Sequence, residues 1–160
     1  MHSKLKGNIG EAAVVLALQK AGYKVFKELG DLSKIDLIAE KNGKLIRFQI
    51  KAVTPKNNQV SLSLRKSGPN YQFRYQEQDC DFFAVVNLLT LEVAIVNSKI
   101  LRSHKTQLSL RLSEAKNNQI KGTWLFSSFT DIEKILRDYT RDTPPRSLEG
   151  DDIVQTATQG

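Results

Sequence analysis

The stretch Lys34 to Val53 constrains the fold of this 160-residue chain more than any other part of it. Asn42-Gly43 is a dipeptide that supplies the positive φ angles of a tight hairpin loop, and it separates two strand-like runs, Lys34 to Glu40 and Lys44 to Val53. In the second run Ile46, Phe48, Ile50 and Ala52 share one face, while Arg47, Gln49 and Lys51 share the other. With a two-residue loop Lys41 pairs with Lys44, and opposed residue numbers sum to 85. Asp36 then lies opposite Gln49 with Cβ atoms about 4.5–5.5 Å apart, and Lys51 is its diagonal neighbour at about 7–8 Å. A four-residue loop keeps this register. A three-residue loop sets Asp36 against an apolar position, which the alternation opposes.

A carboxylate, an amide and an ammonium at the end of a hairpin are parts for holding a hard cation. Mg²⁺ takes oxygen ligands, commonly one or two protein carboxylates with water and phosphate in the other positions. Asp36 suits the central ligand, Gln49 offers a side-chain carbonyl, and the Ile50 backbone carbonyl between the two polar residues offers another oxygen. Glu11 is the only acid in a helix read over Ile9 to Ala21, apolar nearly all round and therefore expected to be buried, with Gly22 as its stop. That helix can pack Glu11 over the cluster. Lys51 would face phosphate and the attacking water, so the set suits phosphodiester hydrolysis, in which the metal acidifies water and the lysine steadies the phosphate.

Elsewhere, Tyr23 to Lys27 reads as a short strand. Gln59 to Arg65 alternates with Val60, Leu62 and Leu64 inward. Its outward residues, Ser61, Ser63 and Arg65, are expected to extend the exposed face of the hairpin, where they could read base edges or phosphates. Gly68-Pro69-Asn70 opens an expected loop, Tyr71, Phe73, Arg74 and Tyr75, which together with Lys66 has the chemistry of backbone contact. Phe82 to Val86 and Val93 to Val96 read as buried strands joined in a hairpin. Gln107 to Leu112 alternates like a strand, and Lys116 to Gln119 reads as a loop before Thr123 to Phe126. A last helix is expected from near Thr130, with Glu133 completing a capping box, to Tyr139, burying Ile132, Ile135, Leu136 and Tyr139.

The balance of 24 Lys and Arg against 17 Asp and Glu gives +7, which favours a polyanionic partner. Residues 142–160 hold one base and four acids, so residues 1–141 carry +10. The acidic end reads as a disordered tail, and residues 1–141 as one domain. Cys80 is the only cysteine, and no apolar run approaches membrane-spanning length, so a soluble, cytoplasmic protein without a membrane partner is expected. His2 and His104 stand apart from any zinc-type spacing.

Glu11 in a first helix, Ile35-Asp36 after a short loop, twelve intervening residues and then Gln49-Ile50-Lys51 resemble the PD-(D/E)XK nuclease signature. The resemblance runs from about Gly7 to Val96 and, within the superfamily, is nearest to homing endonucleases encoded by cyanobacterial group I introns. It implies an α/β fold with a restriction-endonuclease-like core, a mixed β-sheet flanked by helices. It also implies catalytic Glu11, Asp36, Gln49 and Lys51, and Mg²⁺ with Mn²⁺ as a substitute. Ile35 stands where proline is usual, and Gln49 where Asp or Glu is usual, with Glu11 able to restore the charge.

The expected activity is site-specific cleavage of double-stranded DNA in intron homing. Cutting both strands of a long near-palindromic site calls for a homo-oligomer, a dimer at least, and the resemblance implies a tetramer. A Holliday-junction-resolving or restriction-type nuclease would use the same metal site, and a catalytically inactive DNA-binding module would share the basic charge. The bland readings are a solvated strand face for Asp36, Gln49 and Lys51, a dipole-favoured acid for Glu11, an ordinary polar face for Ser61, Ser63 and Arg65, and core packing for the aromatic loop.

Overall fold

The computed structural model describes residues 1–30, 32–114 and 124–143. The elements are α1 (Ser3–Lys20), β1 (Lys24–Lys27), β2 (Leu37–Lys41), β3 (Lys44–Val53), β4 (Gln59–Ser63), β5 (Arg65–Gly68) and β6 (Tyr71–Arg74), followed by β7 (Phe82–Asn87), β8 (Val93–Asn97), β9 (Gln107–Arg111), β10 (Trp124–Leu125) and α2 (Ile132–Asp142). The Asn42-Gly43 hairpin forms in the expected register, Lys41 opposite Lys44 and Leu37 opposite Phe48, with φ of 53° at Asn42 and 78° at Gly43.

That hairpin sits inside a five-stranded sheet of order β1-β2-β3-β7-β8, in which β3 and β7 run parallel and the other pairs antiparallel. β7 is apolar from Phe82 to Val86 because both faces of the sheet are covered. Phe82, Ala84 and Val86 join Val14, Leu18, Ile46, Phe48 and Leu136 in a core beneath the two helices. Phe83 and Val85 join Val60, Leu62, Tyr75, Leu108 and Leu110 in a second core. A small sheet of order β10-β9-β4 and the β5–β6 hairpin contribute to that second layer. The mixed sheet flanked by helices is the α/β architecture expected from the sequence.

Several local expectations change. α1 starts at Ser3 rather than Ile9, where His2 Nδ1 accepts from the Lys4 amide at 3.3 Å. It is not buried all round: Gly10, Val14 and Leu18 line the sheet, while Leu16 is 57% exposed, because only one side of the helix meets the sheet. β4 does not extend the face of the β2–β3 hairpin; it pairs with β9 in the second sheet. The expected loop at Tyr71 is strand β6, hairpinned to β5 with Gly68 opposite Tyr71. α2 is capped by Asp131, whose carboxylate accepts from the Lys134 amide at 3.2 Å, so the cap lies one residue later than the expected Thr130. The helix runs on to Asp142, the first residue of the expected acidic tail; residues 144–160, like Lys116 to Gln119, lie outside the described residues. Among the described residues no helix is long and apolar enough to cross a membrane.

Candidate active site

β3 is twice as long as β2, ten residues against five, and this inequality creates the site. The ladder between them ends at Leu37 and Phe48, so from Gln49 onward β3 keeps its partner β7 but loses β2. Asp36 leaves the ladder at that point. Its amide donates to the Phe48 carbonyl at 2.8 Å, and its carboxylate accepts from the Ile50 amide at 2.7 Å. Asp36 is therefore not the simple cross-strand partner of Gln49 that the register predicts; a side-chain bond replaces the backbone pair. Because the N–H and C=O of one strand residue point to the same neighbour, the Ile50 carbonyl faces this open edge too.

Glu11 arrives from the helix side. A Cβ on Gly10 would lie 2.7 Å from the Ala52 Cβ, so only glycine lets α1 cross β3 this closely, and Glu11 is the next residue. Glu11 is paired with Lys27, the last residue of β1, which lies opposite Leu37 across the β1–β2 ladder. Glu11, Lys27, Glu28, Gly30, Ile35 and Asp36 line a cleft of about 220 Å³.

Lys51 comes from the other face of the sheet. Its Nζ donates to the Tyr75 hydroxyl at 3.3 Å and lies 4.5 Å from the centre of that ring. Burial lowers the Lys51 pKa to about 8, opposed by the nearby Asp36 carboxylate and assisted by Lys66. Asp36 is shifted in the opposite sense. Burial raises its carboxyl, the Ile50 amide pulls it back, the charge of Glu11 raises it further, and Lys66 and Lys51 lower it. Gln49 is 6% exposed, and its side-chain amide has no hydrogen-bond partner among the described residues.

This donor set suits a hard divalent cation. Two carboxylates press on one another, one is destabilised as an anion by burial, and the Gln49 amide has no hydrogen-bond partner among the described residues. Among the described residues no three His, Cys, Asp or Glu side chains converge on a cation position. Asp36 and Glu11, with the oxygens of Gln49 and Ile50, are the candidates.

The residues expected to touch DNA divide. Arg65 and Ser63 are exposed, and Tyr71 is 50% exposed. Lys66 is close enough to influence both Asp36 and Lys51. Ser61 Oγ lies 2.7 Å from Ser109 Oγ on β9. Arg74 turns inward and donates to the Leu101 and His104 carbonyls at 2.8 and 3.2 Å. Tyr75 is a core residue, 1% exposed, with its ring edge-on to Phe73 and Phe83. For these two the expected surface position is corrected: the alternation of β6, continued one residue past its end, takes Phe73 and Tyr75 to the second core, while Tyr71 on the same face stays half-exposed and the Arg74 side chain is held by backbone carbonyls. That period of two was a usable signal for Tyr75 as the floor beneath Lys51. Lys27 and Glu28 had none, because the β1–β2 connection contains no turn dipeptide that sets its register.

Residues 1–132 match the family described as PD-(D/E)XK endonuclease. No curated protein matches the chain. Among solved structures, the fold is similar to that of a bacterial homing endonuclease, I-Ssp6803I, with a TM-score of 0.71 at 22% identity, over 89% of this chain and 98% of the other.

Proposed function

The chain belongs to the PD-(D/E)XK endonuclease family, and on that premise we propose that it is a site-specific nuclease that hydrolyses double-stranded DNA with a divalent metal ion. The observation that carries this reading is Asp36 at the uncovered edge of β3, tied to the Ile50 amide, with Lys51 and Glu11 brought to it from opposite faces of the sheet. Residues 1–141 are assigned as one nuclease domain.

Mg²⁺, or Mn²⁺ in its place, would be held by Asp36, Glu11 and the oxygens of Gln49 and Ile50; when bound it supplies charge neutralisation at the phosphate and a more acidic water. Lys51 orients a phosphate oxygen or the attacking water, and its partly buried ammonium interacts more strongly with a developing anion than an exposed one would. Tyr75 holds that ammonium in place from below. Lys66, Arg65, Tyr71 and Ser63 face the DNA backbone as it approaches the site. Two-strand cleavage calls for at least two copies; a tetramer follows only from the family resemblance of the sequence, and a homing role from the likeness to the bacterial homing endonuclease.

The test is to incubate the purified protein with bacterial genomic DNA, in Mg²⁺ or EDTA and beside Lys51→Ala, and to sequence all new ends. Discrete ends that need Mg²⁺ and vanish in Lys51→Ala are expected. Tight duplex binding without ends would overturn the reading. Gln49 in place of a carboxylate favours one second reading, a DNA-binding module without catalysis, whose binding would be salt-sensitive and indifferent to EDTA.

A further inference from the structure

β4 and β9 form an antiparallel ribbon with five residue pairs, from Gln59 opposite Arg111 to Ser63 opposite Gln107, and the two residues of β10 border β9 only at Leu110 and Arg111. Val60, Leu62, Leu108 and Leu110 point into the second core and are at most 1% exposed. The alternate positions point outward: Gln59, Ser61, Ser63, Gln107, Ser109 and Arg111. Every one of these six can donate a hydrogen bond and none is a carboxylate, on a chain of net charge +7. Such a face does not repel a polyanion.

The face is also ordered. Ser61 and Ser109 hydroxyls are 2.7 Å apart, and Gln107 Nε2 donates to Ser109 Oγ at 3.1 Å. At the far end, the side chains of Gln59 and Arg111 have no hydrogen-bond partner among the described residues. The near end leads through Leu64 to Arg65 and Lys66, and Lys66 sits by Asp36 and Lys51. At about 3.4 Å per residue the ribbon runs roughly 14 Å away from the candidate active site, the length of about four base-pair steps.

We propose that the outward face of the β4–β9 ribbon enters the major groove beside the cut and reads base edges, with Arg111 and Gln59 as the principal readers. This rests on duplex DNA being the ligand. A two-stranded ribbon fits the major groove, arginine pairs with guanine through two hydrogen bonds and glutamine with adenine, and hydroxyls serve either kind of edge. Serine and glutamine also bond phosphates, so what distinguishes base reading here is the loss of a sequence motif and not of affinity alone.

The experiment is binding selection with the full chain in EDTA, from a duplex library with a long randomised tract, for the wild type, Arg111→Ala and Gln59→Ala, each shown folded by its thermal melt. The wild type is expected to enrich a motif. Each variant loses about 10-fold or more of the discrimination at a block of adjacent positions and keeps the rest. Unchanged motifs in both variants, a uniform loss of affinity with the motif intact, or no motif from the wild type would each overturn the proposal. Cleavage of the enriched duplex in Mg²⁺ is scored separately. Enriched but uncut duplex would sink the nuclease reading and leave the ribbon standing, whereas cut duplex with unchanged variant motifs would do the reverse.

Discussion

β3 and β4 alternate apolar and polar residues in the same way, yet their polar faces meet different surroundings. On β4, Ser61 and Ser63 look outward while Val60 and Leu62 are buried. On β3 the second core covers the polar face as well, so Gln49 is 6% exposed and Lys51 rests on the Tyr75 ring. The covered strand carries the shifted groups, Lys51 lowered and, bonded to Ile50, Asp36 raised. A polar residue on a strand becomes reactive when a second layer removes its water and remains a recognition group when none does. The alternation itself does not distinguish the two.

The largest expected effect tests that distinction directly. Asp36→Ala or Lys51→Ala should lower the single-turnover cleavage rate by roughly 10²- to 10³-fold, as for loss of one buried stabilising group. Ser61→Ala should change the rate on a bound target by less than about 10-fold. Equal losses on the two strands would break the comparison.

Next comes the close approach of α1 to β3. Gly10→Ala places a methyl 2.7 Å from the Ala52 Cβ, so the helix must move and carry Glu11 with it. Overpacking of this kind costs about 1–3 kcal/mol, readable as a shift of the urea midpoint. A neutral result would mean that the helix slides freely over the strand.

The pH profile sharpens the comparison further. Lys51 titrates near pH 8, well below an exposed lysine, chiefly because of burial. If its cation works on the phosphate, the rate should fall as pH rises through about 8. In a Lys51→Arg variant that retains any activity this fall should disappear, since arginine stays charged. A rate that instead climbs through that range would identify the neutral amine as the working form.

How much of this was legible in the sequence depends on what each feature rests on. The β2–β3 register follows from Asn42-Gly43 and the alternation around it, both local, and so do the shared face of Gln49 and Lys51 and the continuous apolar run of β7. The departure of Asp36 from the ladder was hidden because it depends on β3 outrunning β2 and exposing the Ile50 amide. The second sheet was hidden because β4 finds its partner only at β9, across the β5–β8 segment. α1 was read too short and too buried, since its apolar residues surround the helix and do not mark which side the sheet will cover.

The smallest effect is one of stability, and its sign follows from the covered environment of Asp36. A carboxyl whose folded pKa is raised above its unfolded value binds its proton more tightly in the folded state. Its ionisation therefore costs stability once the pH exceeds the unfolded value, and the whole cost is present above the folded one. Asp36→Asn removes that charge while its side-chain oxygen can still accept from the Ile50 amide. The metal-free variant should thus melt slightly above the wild type at neutral pH, with the difference vanishing as the pH falls below the carboxylate range. Added Mg²⁺ should then raise the melting temperature of the wild type and leave the variant nearly unmoved, because only the wild type has the charge that the ion relieves. A variant that melts lower at every pH would mean that the Ile50 bond needs the full charge of the carboxylate, and that burial is the lesser influence on Asp36.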